Sequence, residues 1–345
     1  MSSLRLLFSG SCAASRQEGS RHRLSAVAAV QVEELSKDYF VGFWRPKPYR
    51  ALDRLTFTVD QGEVFGFLGP NGAGKSTTLK LLMGLIFPTS GTARILGKPI
   101  GDLAMRRRIG FLPENPYFYD YLTAEELLSY YAGLSSIDEP VRQKRVSQVL
   151  DDVGIGAERR MRLRSYSKGM IQRVGVAQAL VAEPDIVFFD EPMSGLDPLG
   201  RRDLRQLMLR LRDQGCTVFF SSHILADAEA LCSRVAILAQ GRLVGEGRLN
   251  ELVAFERRGW ELVVSNVPHA LRERLQSRAV TLTALSDSRY TIELPADAAP
   301  EALVSELAEH GVQIVSLNPI RATLEDYFVT AVRSAAPRDT TGIDR

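Results

Sequence analysis

The sequence predicts an α/β fold, and three observations carry that expectation. An apolar strand, "GEVFGFLG", runs into the glycine-rich loop "GPNGAGKST" and then into a helix, "KSTTLKLLMGLI". A second apolar run, Ile186 to Phe189 in "DIVFFDEP", reads as a parallel strand buried on both faces. Val218 to Phe220, ahead of "SSHI", reads the same way. Around this core the patterning predicts an antiparallel β portion before the loop, a helical portion within the chain and a small α+β unit after it.

A chain of 345 residues is long enough for one large domain and a small one. Charged residues at 24% and hydrophobic residues at 45% describe an ordinary globular protein. The net charge of +2, from 43 basic and 41 acidic residues, leaves no whole-chain footprint for nucleic acid or a membrane surface. Cys12, Cys216 and Cys232 are scattered and show no metal-ligand spacing, so they read as reduced thiols. No apolar stretch approaches the roughly 18 residues of a spanning helix, so any work at a membrane is done from the side.

In order along the chain, residues 1–30 are rich in Ser, Ala and Arg and are expected to be a disordered extension. As a targeting segment they lack a long apolar core, since "LRLLF" is too short. The fold is expected to begin near Val32. "VQVEELSKDYF" and "ALDRLTFTVD" alternate like antiparallel strands, on either side of a basic and aromatic insertion, "VGFWRPKPYR". The helix after the loop is expected to stop at Pro88 and "PTSG".

The loop fills every position of G-x-x-x-x-G-K-[ST], from Gly69 to Ser76. Gly69, Pro70, Asn71, Gly72, Ala73 and Gly74 are small or flexible enough to turn successive backbone N–H groups toward one anion. Lys75, Ser76 and Thr77 open the helix, whose N-terminus adds partial positive charge. Lys75 reaches the β- and γ-phosphates of a nucleotide, and the Ser76 hydroxyl can ligate Mg²⁺. Asp190 ends its strand at the carboxyl edge of the sheet, placed to hold Mg²⁺ through water. Glu191 follows as a carboxylate able to orient or deprotonate an attacking water. His223, just past the end of its own strand, reaches the same edge and the γ-phosphate.

"GPNGAGKST", "YSKGMIQR", "FFDEP", "SGLD" and "SSH" stand in the motif order of ABC-transporter ATP-binding subunits, which the chain resembles from about Val32 to Leu249. The resemblance implies a P-loop NTPase core, a RecA-like parallel sheet with an antiparallel β subdomain, over residues 31–252, with ATP and Mg²⁺ bound. "YSKGM" corresponds to the family signature: Ser167 and Gly169 match, whereas Lys168 and Met170 depart in the manner of type-2 exporters. Ser167 can also cap the helix that follows. In the family this helix end faces the nucleotide of the other subunit, so one chain holds only part of each site. Asp197 in "SGLD" resembles the loop that communicates between sites, although "SGLDP" alone reads as a plain turn.

The resemblance places a helical subdomain at about 115–165, contacting the membrane subunit. Thr123 and Glu126 form a capping box there, and Pro140 and Gly154 bracket a second helix. Glu114 stands where the family usually has a glutamine that meets Mg²⁺ and the attacking water. Tyr117, Phe118, Tyr119 and Tyr121 could equally pack on the membrane subunit or within the subdomain. Tyr39 best matches the aromatic residue on which the family stacks adenine, with Phe40, Phe43, Trp44 and Tyr49 as rivals.

Residues 256–335 read as strands and helices in the order βαββαβα, a ferredoxin-like α+β unit ending in "LEDYF", as in the C-terminal extension of type-2 exporter ATPases. Residues 336–345 are expected to be a disordered tail. Together these features imply an ATPase subunit that dimerises on MgATP, homodimerisation being the simplest form. It would drive a separate transmembrane permease from the cytoplasmic face of the inner membrane, without nucleic acid as a partner. Two alternatives belong to other classes. A soluble ABC protein acting on nucleic acid or ribosomes would usually carry two cassettes or long coiled coils. A nucleotide-sensing module would have no need of Glu191 and His223.

Overall fold

The computed structural model describes residues 28–335, apart from Phe43, Arg45 and residues 253–256, 269–270, 273, 276–280, 287–288 and 322. Most of the expected N-terminal extension, the expected tail and the rival Phe43 lie outside them. The fold begins earlier than Val32. Strand β1 (Ala28–Val41) opens on Ala29 and Val30, both fully buried. Their short side chains continue the Ala-rich composition of the preceding residues, which hides the start of the strand.

β1 pairs with β2 (Lys47–Asp60) as one long hairpin, Val41 opposite Lys47, so both ends of the basic and aromatic insertion are strand. Together with β4 (Ser90–Ile95) and β5 (Lys98–Pro99) these strands form an antiparallel sheet in the order β2-β1-β4-β5. The second sheet has six strands, the last two joined as a hairpin. These are β3 (Val64–Leu68), β6 (Ile109–Leu112), β7 (Ile186–Asp190), β8 (Thr217–Ser222), β9 (Arg234–Ala239) and β10 (Arg242–Arg248), ordered β10-β9-β3-β8-β7-β6. All neighbours are parallel except β9 and β10. This is the α/β core with an antiparallel β subdomain that the sequence predicts. "IGFL" is part of it, as edge strand β6.

The two sheets meet over a cluster of phenylalanines. Phe57, Phe65, Phe67, Phe188 and Phe219 lie with ring centroids 5.3–6.3 Å apart in their contacting pairs. Each such pair adds about 0.5–1.5 kcal/mol beyond the area it buries. The cluster fixes β3, β7 and β8 side by side, and the loops at their carboxyl ends inherit that rigidity.

Helix α1 (Lys75–Leu82) follows β3 and ends sooner than the sequence suggests, because Gly84 takes a left-handed φ of +63°. After the short α2 (Leu103–Arg106) come α3 (Ala124–Leu134) and α4 (Glu139–Asp152). Both halves of the Thr123/Glu126 capping box form, and Gly154 closes the second helix at φ +72°. Helix α5 (Lys168–Leu180) leads back into β7, α6 (Pro198–Asp213) into β8, and α7 (Leu225–Leu231) into β9.

After α8 (Leu249–Leu252), strands β11 (Arg257–Ser265), β12 (Thr281–Ser286), β13 (Arg289–Pro295) and β14 (Gln313–Arg321) form an antiparallel sheet, ordered β12-β13-β11-β14. With α9 (Pro300–Glu309) packed on it, this is the strand order of the ferredoxin-like unit. The last helix, α10 (Leu324–Ala335), sits elsewhere: fully buried Leu324, with Tyr327 and Phe328, joins the core of the large α/β unit. No helix among the described residues is long and apolar enough to cross a membrane.

Candidate nucleotide site

The carboxyl edge of the parallel sheet opens into a cleft of about 470 Å³. Pro70, Asn71, Gly72, Gly74, Lys75, Ser76 and Thr77 form one wall, Glu114, Glu191, Ser194 and His223 another, and Tyr39, Tyr49 and Ala51 a third. The loop is pinned at both ends: the Gly69 N–H donates to Ser222 O at 3.2 Å, and Ala73 O accepts from Gly241 N at 3.0 Å. Gly69 and Ala73 therefore shape the wall from behind rather than face the cleft. Gly74 adopts φ +109°, and a Cβ there would lie 2.5 Å from Leu52 Cδ2, so only glycine fits between the loop and β2. No side chain caps α1, which leaves the N–H groups of its first turn directed at whatever occupies the cleft.

Lys75 is 6% exposed and curls back over the loop, with Nζ donating to Gly69 O at 2.7 Å and Pro70 O at 3.3 Å. The same ammonium stands 3.2 Å from Glu191 Oε1. The other carboxylate oxygen, Oε2, is 2.8 Å from His223 Nδ1. Buried Oε1 has no hydrogen-bond donor besides the Lys75 ion pair among the described residues, so it is an open acceptor only once Lys75 moves away. Glu191 holds φ +50°, a left-handed conformation that costs a non-glycine residue about 1–2 kcal/mol. Ser221 stabilises it: its hydroxyl accepts from Glu191 N at 3.0 Å and donates to Asp190 Oδ1 at 2.6 Å. One side chain thus fixes both acids. Asp190 lies just behind the cleft wall, 5% exposed.

The residues suit a Mg²⁺-nucleotide. Among the described residues no group of three or more His, Cys, Asp or Glu side chains gathers in metal-binding geometry. A hard cation here would draw on one carboxylate, a hydroxyl, water and phosphate oxygens, which is how Mg²⁺ binds beside phosphates. Ser76 and Glu114 line the cleft, and Asp190 lies next to it. On the third wall Tyr39 and Tyr49 are directly opposed across β1 and β2, and the Lys37 ammonium lies 5.2 Å from the Tyr39 ring centroid. Of the described rivals to Tyr39, the structure brings Tyr49 into the cleft. Phe40 and Trp44 are largely exposed toward the hairpin tip.

Ser167, Gly169 and Asp197 stand apart from this cleft. Ser167 caps α5, accepting from Met170 N at 3.3 Å, and Asp197 caps α6, accepting from Gly200 N at 2.7 Å. Both are exposed, and the turn expected of "SGLDP" forms as the cap of α6. Sequence reasoning missed Ser194 and Ala51 in the lining and Ser221 behind it. The hydroxyls that end β8, after a strand of buried aromatics, were a readable signal for Ser221.

Residues 52–194 match the family model described as ABC transporter. The chain is 45% identical over 309 residues to an uncharacterized ABC transporter ATP-binding protein of Synechocystis sp., covering 88% of this chain and 84% of that one. It is 34% identical over 295 residues to the bacitracin transport ATP-binding protein BcrA of Bacillus licheniformis, covering 82% and 92%. Among solved structures it resembles the dimeric post-hydrolysis state of the ATP-binding cassette MJ0796 bound to ADP and Pi, with a TM-score of 0.59 and 27% identity. That likeness covers 64% of this chain and 98% of the other. At these identities and coverages the kinship is plain: this chain belongs to the ABC transporter ATP-binding proteins.

Proposed function

We propose that two copies of this chain close on two MgATP and that closure drives a separate transmembrane permease, with hydrolysis resetting the pair. The single observation that carries this reading is the split between a cleft that grips phosphate and a signature segment, Ser167 to Gly169, exposed outside it. A site divided in this way is completed only by a second chain. The dimeric MJ0796 cassette supports the pairing, and the name of the bacitracin transport relative supports a role in transport. Cargo would be selected by the permease, and the chain would lie at the cytoplasmic face of the inner membrane through that contact.

The chemistry proposed is phosphoryl transfer to water. Tyr39, with Tyr49 facing it, stacks adenine. The loop N–H groups and the start of α1 hold the β-phosphate. Lys75 leaves Glu191 for the β- and γ-phosphates, which frees the carboxylate to accept a proton from water at Oε1. His223 holds Oε2 and contacts the γ-phosphate. Ser76 and Asp190, with Glu114 nearby, would hold Mg²⁺, which would supply charge neutralisation at the phosphates. Glu114 adds negative charge where glutamine would add a donor, which bears on rate and coupling rather than on nucleotide binding.

The deciding experiment is Glu191→Gln followed by light scattering on a sizing column with MgATP. A trapped dimer with turnover largely lost supports the reading. A monomer with ATP, or full turnover, overturns it.

A further inference from the structure

Gln172 is 2% exposed, a buried amide on the otherwise apolar inner side of α5. Its Nε2 donates to Pro192 O at 3.2 Å, and since a carbonyl can only accept, the amide orientation is settled by that bond. Pro192 directly follows Glu191. The left-handed backbone of Glu191 is therefore held from two sides, its own N–H by Ser221 and the next carbonyl by Gln172. The turn continues with Ser194 N donating to Glu191 O at 3.0 Å, and leads to Gly195. A Cβ on Gly195 would lie 3.0 Å from the Lys168 side chain, so the same loop also rests against the start of α5.

Helix α5 thus has two functional ends within two turns. Its N-terminus carries Ser167 and Gly169, which the two-chain reading assigns to the partner's nucleotide. About one turn further, Gln172 grips the backbone beside this chain's own Glu191. We propose that Gln172 is a positioning residue that transmits closure of the signature end of α5, on the partner's nucleotide, to Glu191 of the same chain. The two sites of the dimer would then be coupled in cis, through one helix and one amide. Displacement of α5 moves the donor of that bond and, through the Pro192 carbonyl that it holds, the carboxylate that must meet the attacking water. This rests on the two-chain reading.

The test uses Gln172→Met, which keeps length and apolar volume and removes the donor, with Gln172→Ala alongside. Gln172→Met should lower kcat about tenfold, with KM for ATP changed less than about twofold and the melting midpoint nearly constant. A merely structural amide would instead leave Gln172→Met turning over like the unmodified chain and lower stability in Gln172→Ala. Differentially tagged mixed dimers then assign the direction. One pairs a Gln172→Met chain with a Glu191→Gln chain, so the only intact base lacks its amide. The other places both substitutions in one chain beside an unmodified partner. The first should be about tenfold slower than the second. Equal rates, or the reverse order, overturn the proposal. If Glu191→Gln with MgATP forms no dimer at all, the two-chain reading itself fails, which is a separate outcome read by light scattering.

Discussion

The phosphate cleft and the signature segment are built from opposite materials. In the cleft the charged side chains at the sheet edge hold one another: Lys75 on loop carbonyls and Glu191, Glu191 on His223, Asp190 on Ser221. The signature segment is exposed, and Ser167 spends its side chain on capping its own helix. The difference teaches which half is preorganised. The cleft is arranged before any ligand arrives, whereas the signature offers only a helix N-terminus, which gains meaning against a second surface.

The largest expected effect breaks the cleft side. Glu191→Gln should cut ATP turnover by roughly 10²–10⁴, the range for losing a general base, while ATP binding persists. Steady-state phosphate release against equilibrium nucleotide binding reads both. Next, the signature side can be broken alone. A Cβ on Gly169 would meet Gly195 O at 3.4 Å, close but tolerable within the chain. Gly169→Ala should therefore fold normally and bind ATP as a monomer, yet lose about tenfold or more of its turnover. If Gly169→Ala lowers ATP affinity in the monomer, the two halves are not separate.

Smaller effects sharpen the same contrast. Tyr39→Ala should weaken ATP binding by about 1–2 kcal/mol, roughly tenfold, as base stacking is lost. Tyr49→Ala should act in the same direction, and calorimetry with ATP and with inorganic triphosphate separates base from phosphate contributions. Thr123→Ala removes one half of the capping box on α3 and should cost about 1 kcal/mol of stability, measured by denaturant midpoint, with ATP affinity unchanged. Burial pushes Cys216 up to about 12 and Cys232 well above its ordinary value. Both thiols should thus resist alkylation at pH 8 until the protein unfolds, and mass spectrometry after pulsed labelling checks this.

What was legible in the sequence followed the same divide. Buried strands that end in acids, and glycines forced by backbone geometry, leave strong local patterns, so β3, β7 and β8 and their edge residues were readable one by one. The two contacts of the Ser221 hydroxyl and the amide bond of Gln172 were not. Both act between segments 20 or more residues apart, and neighbouring residues in the sequence carry no trace of which partner is met. The partner-facing role of Ser167 was legible only through resemblance, because within one chain it is an ordinary cap.

Helix α10 carries a consequence for how the protein is made. Its Leu324 is fully buried, Leu324 N donates to Glu229 Oε1 at 2.7 Å, and Tyr327 and Phe328 pack against the core cluster that includes Leu231. A chain leaving the ribosome therefore exposes part of its first core until residues 324–328 have been translated. The α/β unit cannot finish folding ahead of the unit that follows it, and the ferredoxin-like unit is a detour through which the chain returns to seal what it began. A protein cut after Leu252 would be born with that seam open, a substrate for chaperones and proteases rather than a smaller working ATPase.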